Sequence, residues 1–522
     1  MPLNNQLELI ARAGRQASVA RDWGRVHACG LEICRQAPAD PEGPFLLGLA
    51  GKAAGHFQQA ADYFLQALTQ NDQRYDAAIE LAFQYVLLNR HAEAKTLLDG
   101  YRDRLDNSPM YLNLAGEAYS RMNQHEDAWS MYESASRLQP QVEIFKANMA
   151  TCAVYLGRID TAKSIYRKLL KRNPLHRRNH YELAKLERAK NDRHVKQMLK
   201  VLRKTDDEPA KNIYLYYALG KELEDLERWR EAFGYYKKAG DAVKTVSDHD
   251  VASDVAVIDK VIEVCSRDWL VTDPATEKTS KTPIFVVGLP RTGTTLADRV
   301  ISSHSQVESA GETQLLQMVL RRKSGVAVKA DMTPEIVAAA ASVSPAWIAR
   351  NYVDAISYGL ADTPFFIEKL PENVLYLGFI AKSWPDARII HMRRHPMDAC
   401  FATFKQSYFR FAYSLDDLAE YYLAYDRLSR HWRDTLGERI IEVEYENLVS
   451  EPERETRRML DLLGLPFEEA CLEFDRNVAP IATASSVQVR EKMHRRSVGR
   501  WKKFESQLQP LRDRLEQGGV TI

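Results

Sequence analysis

The hydrophobic pattern of this 522-residue chain changes character near its middle. Up to about residue 245, small and apolar residues recur at helical spacing inside a longer period. Gly48 leads to Gly55, Phe57, Ala60, Phe64 and Ala67; Ala82 to Tyr85, Ala94 and Leu98; Gly116 to Tyr119, Ala128, Tyr132, Ala135 and Pro140; Ala150 to Gly157, Ala162, Tyr166 and Pro174. The lead residues stand 34 apart, Ala184 continues them, and Gly220 with Trp229, Ala232, Tyr236 and Ala239 follows 36 later. A degraded unit around Gly14 and Trp23 precedes the series. The pattern predicts stacked helical hairpins: small residues let paired helices approach, aromatics fill the gap to the next hairpin, and proline ends the second helix. Beyond about 246 the period fades into a stretch of proline, threonine and charge. Then comes a β-branched and aromatic run at 284–287, a glycine-bearing turn, and helical spacing through Leu296, Val300 and Ile301.

The repeat resembles the tetratricopeptide repeat over roughly 8–245. The expected architecture is an N-terminal tetratricopeptide-repeat α-solenoid (1–245), a connecting helix and linker (246–282), and a P-loop-like α/β domain with a parallel sheet (283–522). The aromatics at helical spacing are read as solenoid core rather than a ligand box, with the groove left as an acceptor or partner platform.

Charge and cysteine content narrow the function classes. Lys and Arg total 72 against 71 for Asp and Glu, which argues against a surface built generally for nucleic acid or membrane, so any anion site must be local. Six scattered cysteines show no CxxC spacing and read as reduced, mostly buried thiols. The start of the chain lacks the pattern of a signal peptide, and no eighteen apolar residues run together; a soluble, cytoplasmic protein is expected, without a membrane span or nucleic-acid partner.

The turn "GLPRTGTT" carries the chemistry. Gly288 and Gly293 allow close backbone approach, the N–H groups at the helix start face whatever occupies the turn, and Thr294 and Thr295 add hydroxyls. That geometry suits a phosphate, yet it differs from GxxxxGK[ST], because Thr294 and Thr295 follow Gly293 where that loop has lysine.

The stretch "PRTGTTL" resembles the 5′-phosphosulfate loop of sulfotransferases that use 3′-phosphoadenosine 5′-phosphosulfate (PAPS). The likeness is to tyrosylprotein sulfotransferases and their bacterial repeat-fused relatives, over about 283–505. It implies Arg291, Thr292, Gly293, Thr294 and Thr295 at the 5′ end of the nucleotide. Arg394, after a strand at 388–392, is implied for the 3′-phosphate. Relatives carry serine eight residues after this arginine; here the position is Ala402, with Cys400 and Thr403 nearby. "ASSVQVREKMHRRSVGRW" resembles the cofactor-closing stretch, with Ser485 at its start and Arg500 as the basic residue before Trp501. Tyr445 in "EVEYENLV" matches a tyrosine near the cofactor.

For chemistry, the resemblance implies Glu312 in "AGETQLL" as general base, Lys369 on the sulfuryl and bridging oxygens, and Arg291 and Ser485 assisting. PAPS is the co-substrate and no metal is implied. By residue chemistry alone, Glu312 also reads as a helix-start carboxylate, Arg394 as a strand end, Tyr445 as core, and the basic run 490–503 as a solvated face. The leading expectation is a PAPS-dependent sulfotransferase acting on a hydroxyl of a peptide tyrosine, sugar, lipid or small phenol, with a possible protein partner on the repeat groove. Gln314 stands where tyrosylprotein sulfotransferases have an arginine that helps hold acidic peptides, which weakens protein tyrosine as the acceptor. The alternatives are a non-catalytic repeat scaffold with a degenerate nucleotide-binding domain, and a P-loop kinase.

Overall fold

A computed structural model of the chain describes residues 3–105, 107–204, 208–275, 279, 281–324, 332–483 and 485–522. Parts of the predicted linker (276–278 and 280) and Ala484 of the closing stretch lie outside the described residues. The chain divides into two compact units, Met1–Ala153 and Val154–Ile522.

The first unit is a run of helical hairpins, among them Glu42–Ala53 with Phe57–Gln70 and Pro109–Arg121 with His125–Leu138. Their packing follows the small-against-aromatic rule of the sequence. A Cβ placed on Gly48 would meet the Phe64 ring at 2.5 Å, and one on Gly116 the Tyr132 ring at 2.8 Å. Both rings are buried, so the bare glycine backbone is what lets the second helix lie so close.

The second unit opens with further hairpins of the same kind: Ile159–Arg172, Arg177–Leu186, Arg193–Arg203, Ile213–Asp225 and Trp229–Lys244. Gly220 against Tyr236, 2.6 Å from a would-be Cβ, repeats the rule. A five-stranded parallel sheet follows: β1 Thr282–Gly288, β2 Val307–Gly311, β3 Phe365–Lys369, β4 Arg388–Arg393 and β5 Ile440–Glu444, in the order β2-β3-β1-β4-β5. Alternate residues of β1 feed opposite faces of the sheet. Ile284 and Val286 pack with Leu296, Val300, Leu448 and Met459. Phe285 and Val287 belong to a cluster that also holds Phe366, Trp384 and Trp432.

That second cluster continues without a break into the repeats, through Tyr181, Leu219, Phe233 and Tyr236. Ring pairs Phe233–Phe404, Tyr236–Phe401 and Trp229–Phe504 mark the junction, and Gly240 lets the Tyr413 carbonyl come within 2.1 Å of where a Cβ would be. The hydrophobic period ends near 245, but the unit boundary falls at 153, and from Tyr181 onward the hairpins bury their aromatics in the core they share with the sheet.

Four cysteines (Cys152, Cys265, Cys400, Cys471) are buried and Cys29 and Cys34 half-buried. Among the described residues no helix is long and apolar enough to cross a membrane.

Candidate active site

The carboxyl ends of a parallel sheet, beside the point where the strand order reverses, form the crevice in which open α/β folds bind ligands. After β1 this chain steps to the β2–β3 side, and after β3 it crosses to β4, so β1 stands at that reversal. Each of the five strands delivers one expected residue there. Arg291 follows β1, Glu312 follows β2, Lys369 ends β3, Arg394 follows β4 and Tyr445 follows β5.

The β1 turn is held from outside. Gly288 abuts β4: its Cβ would sit 2.4 Å from the Met392 carbonyl oxygen. Arg291 (φ +69°) and Gly293 (φ +102°) both adopt left-handed backbone, and at Gly293 a Cβ would strike Tyr445 at 2.7 Å. Three consecutive carbonyls are claimed: Leu289 by the Thr292 hydroxyl (2.7 Å), Pro290 by Thr403 (3.1 Å) and Arg291 by the Arg394 guanidinium (3.0 Å). The Leu289 N–H donates to the Tyr425 hydroxyl (3.3 Å). With these acceptors committed, the first N–H groups of helix Thr294–Ile301, which have no partner within the helix, are suited to an anion. Thr295 lies 3.4 Å from the Thr483 hydroxyl.

Arg291 donates to Ser485 (2.5 Å) and Gln488 (3.1 Å), bringing the closing stretch onto the turn. Burial, with Arg394 adding to it, holds the Arg291 guanidinium below the usual arginine value. Its Nε and that of Arg394 are both buried, with no partner among the described residues. Two such orphaned donors beside a helix start are costly unless something supplies acceptors, and phosphate or sulfate oxygens do so. The guanidinium of Arg394 lies 4.8 Å from the Tyr445 ring centre, and its Nη2 donates to the Ser497 carbonyl (2.5 Å).

On the other side of β1, Lys369 pairs in register with Val286 and is ion-paired with Glu312. The neighbouring residues reinforce the pair: the buried Glu368 carboxylate accepts from the Thr313 hydroxyl (2.6 Å), the Thr313 N–H (3.2 Å) and the Tyr352 hydroxyl. Two further carboxyls close on this lysine. Burial raises Asp298, whose Oδ1 has no partner among the described residues, while Lys369 opposes the rise. Burial, with Glu312 adding to it, pushes Glu372 up to about 7. Neither stood out in the sequence, because a single acid in a helix or after a proline carries no signal until the strands are side by side.

Arg500 goes elsewhere than the turn: its Nε donates to Glu224 (3.1 Å) and its guanidinium lies 4.5 Å from the Trp229 ring centre. The flanking Gly499 and Trp501 N–H groups donate to Asp398 (2.6 and 2.9 Å), in the first turn of helix Pro396–Phe404. Ala402 is half-buried on that helix. Its neighbours cannot stand in for the missing hydroxyl, since Thr403 is committed to Pro290 and Ala399 and Cys400 is in the core. The basic run does not act as one patch. Arg490 bonds the Tyr155 carbonyl (2.9 Å), Arg495 that of Ser450 (3.0 Å), and Arg496 pairs with Glu491.

Comparison with known proteins places parts of the chain beside two families. Residues 283–469 match the sulfotransferase family and residues 52–118 match the tetratricopeptide repeat. An uncharacterized protein of Aquifex aeolicus (strain VF5) is 29% identical over 312 residues, 58% of this chain and 41% of that protein. The protein-tyrosine sulfotransferase of Drosophila melanogaster is 22% identical over 231 residues, 42% of this chain and 46% of that protein. The chain thus spans less than half the length of either relative. Among solved structures, the sulfotransferase domain of the Synechococcus PCC 7002 olefin synthase aligns over 98% of its length with 48% of this chain, at 19% identity and a TM-score of 0.35.

Proposed function

We propose that this chain, a sulfotransferase-family domain behind tetratricopeptide repeats, moves the sulfuryl group of PAPS to an acceptor hydroxyl. The observation that carries the reading is the convergence of Arg291, Glu312, Lys369 and Arg394 at the carboxyl ends of neighbouring parallel strands. The two orphaned arginine Nε donors fit a nucleotide with phosphate at both ends of its ribose.

Sulfuryl transfer resembles phosphoryl transfer in its physics: attacking and leaving oxygens lie in line, and positioning plus electrostatics do most of the work. The acceptor oxygen bonds to sulfur as the bond from sulfur to the bridging phosphate oxygen breaks. Glu312 takes the acceptor proton, and the electron pair leaves with the phosphate, where Lys369 and Arg291 meet the charge. Thr292, Gly293, Thr294 and Thr295 hold the 5′ end, Arg394 and Arg500 the 3′-phosphate, with Tyr445 beneath Arg394. Ser485 reaches the site through Arg291.

The relatives' names suggest a protein tyrosine as acceptor, and the repeats suggest a protein partner. Gln314, in place of a peptide-holding arginine, leaves sugars, lipids and small phenols equally open. The deciding experiment is calorimetry of the full chain with 3′-phosphoadenosine 5′-phosphate, the product nucleotide, against magnesium-ATP. Tighter binding of the former supports the reading, and equal or tighter binding of ATP overturns it. Labelled PAPS offered with each acceptor class then identifies the substrate.

A further inference from the structure

Glu224 lies near the end of helix Ile213–Asp225, in the last repeat hairpin, and is buried. A carboxylate withdrawn from water is costly unless donors surround it. Here three side chains do so. Lys405 Nζ lies 3.0 Å from each oxygen, the Tyr236 hydroxyl donates at 2.8 Å, and Arg500 Nε donates at 3.1 Å. Burial works against ionisation, but Lys405 and Arg500 prevail and hold the carboxyl below its ordinary value.

The way Arg500 is held matters. It is tied to Glu224 through Nε alone, and its guanidinium sits over the Trp229 ring, 4.5 Å from the centre. No partner among the described residues takes its two Nη groups. Its backbone is pinned as well: Asp398 receives the N–H groups of Gly499 and Trp501, and the helix bearing Asp398 begins two residues after Arg394. An arginine clamped at Nε and over one face, with both Nη donors unspent, is pre-organised to grip an anion with its fork.

We propose that Glu224 and Trp229 of the last repeat hairpin are positioning residues that set the Arg500 fork for the 3′-phosphate, so that the repeats contribute to nucleotide selection. The inference rests on the sulfotransferase reading above and adds to it a task for residues outside the family domain. Lys405 has a part in this arrangement: it neutralises the second share of the Glu224 charge, so that Glu224 holds Arg500 without leaving a net negative charge beside the phosphate.

The test uses the full chain, titrated calorimetrically with 3′-phosphoadenosine 5′-phosphate and with adenosine 5′-monophosphate, which lacks the 3′-phosphate. Glu224→Gln and Trp229→Leu are each expected to weaken binding of the first nucleotide about tenfold, the effect of losing one charged hydrogen bond, and to leave the second unchanged. In an Arg500→Ala background neither substitution should weaken binding further. Trp229→Leu keeps the Glu224–Lys405 pair intact, so it carries the test if Glu224→Gln does not fold. Equal losses for both nucleotides, losses additive with Arg500→Ala, or no loss would each overturn the proposal while leaving the sulfotransferase reading standing. If the unaltered protein shows no preference for the 3′-phosphate, both fall.

Discussion

The Lys369 side chain, at the last residue of β3, has no exposure to solvent, while its ion-pair partner Glu312 keeps about a third of its side chain exposed. The cation is therefore set inside the sheet end and the carboxylate at its mouth. Such a pair suits a division of labour in which the buried member meets charge on a leaving group and the exposed member meets an incoming acceptor. Thr313 and Glu368, the next residue along and the one before, bond each other and hold the two strand ends in this relation.

Removing the proposed base while keeping its shape separates chemistry from binding. Glu312→Gln is expected to lower turnover by roughly two to four orders of magnitude, with affinity for 3′-phosphoadenosine 5′-phosphate nearly unchanged. Near-normal turnover would return Glu312 to a structural role as the partner of Lys369.

Glu372 links the site to pH. Its folded value of about 7 lies above the ordinary 4.5. Below pH 4.5 the carboxyl is protonated in both states and costs nothing. Between 4.5 and 7 the unfolded carboxyl ionises while the folded one keeps its proton, so stability falls as pH rises, by about 3 kcal/mol in all. Glu372→Gln should accordingly raise unfolding free energy at pH 8 and change little at pH 4, measured by denaturant titration at both. A gain of the same size at pH 4 would be inconsistent with this origin.

Gly293 has no room for a side chain: its φ is +102°, and a Cβ would lie 2.7 Å from Tyr445. Gly293→Ala should cut nucleotide affinity at least about tenfold, through a shift of the turn worth roughly 1–3 kcal/mol of strain. Unchanged affinity would mean that the turn does not hold the nucleotide.

At Ala402 the helix carries no hydroxyl, and Thr403 cannot supply one. Arg394→Ala is expected to cost about 1.5–3 kcal/mol of nucleotide affinity, the range for charged hydrogen bonds, and Ala402→Ser to gain about 0.5–1.5 kcal/mol. If Arg394→Ala has no effect, the arginine serves only to hold the Arg291 carbonyl and the 3′-phosphate site lies elsewhere.

Truncation should respect the unit boundary and not the period. A chain starting near Glu143 is expected to stay soluble and bind the product nucleotide. One starting near 246 removes Trp229, Phe233 and Tyr236 from a shared core, so it should aggregate or lose cooperative unfolding. A soluble, nucleotide-binding fragment from 246 onward would show that the shared core is dispensable.

The local patterns were legible in the sequence because they rest on near neighbours. The 34-residue period, the strand before "GLPRTGTT", and the small-against-aromatic pairs such as Gly48 with Phe64 follow from helix and strand periodicity, which needs no knowledge of distant contacts. Motif likeness singled out Arg291, Glu312, Lys369 and Arg394 one at a time. Their meeting at the carboxyl end of one sheet was decided by the strand order β2-β3-β1-β4-β5, which sets residues 57 apart, Glu312 and Lys369, into contact. Tertiary structure alone decided that Arg500 turns to Glu224, 276 residues away, and that the hairpins from Tyr181 onward share a core with the sheet. Apolar faces and isolated charges carry no address in the chain; which surface buries Phe233 or neutralises Glu224 depends on what folding brings beside it.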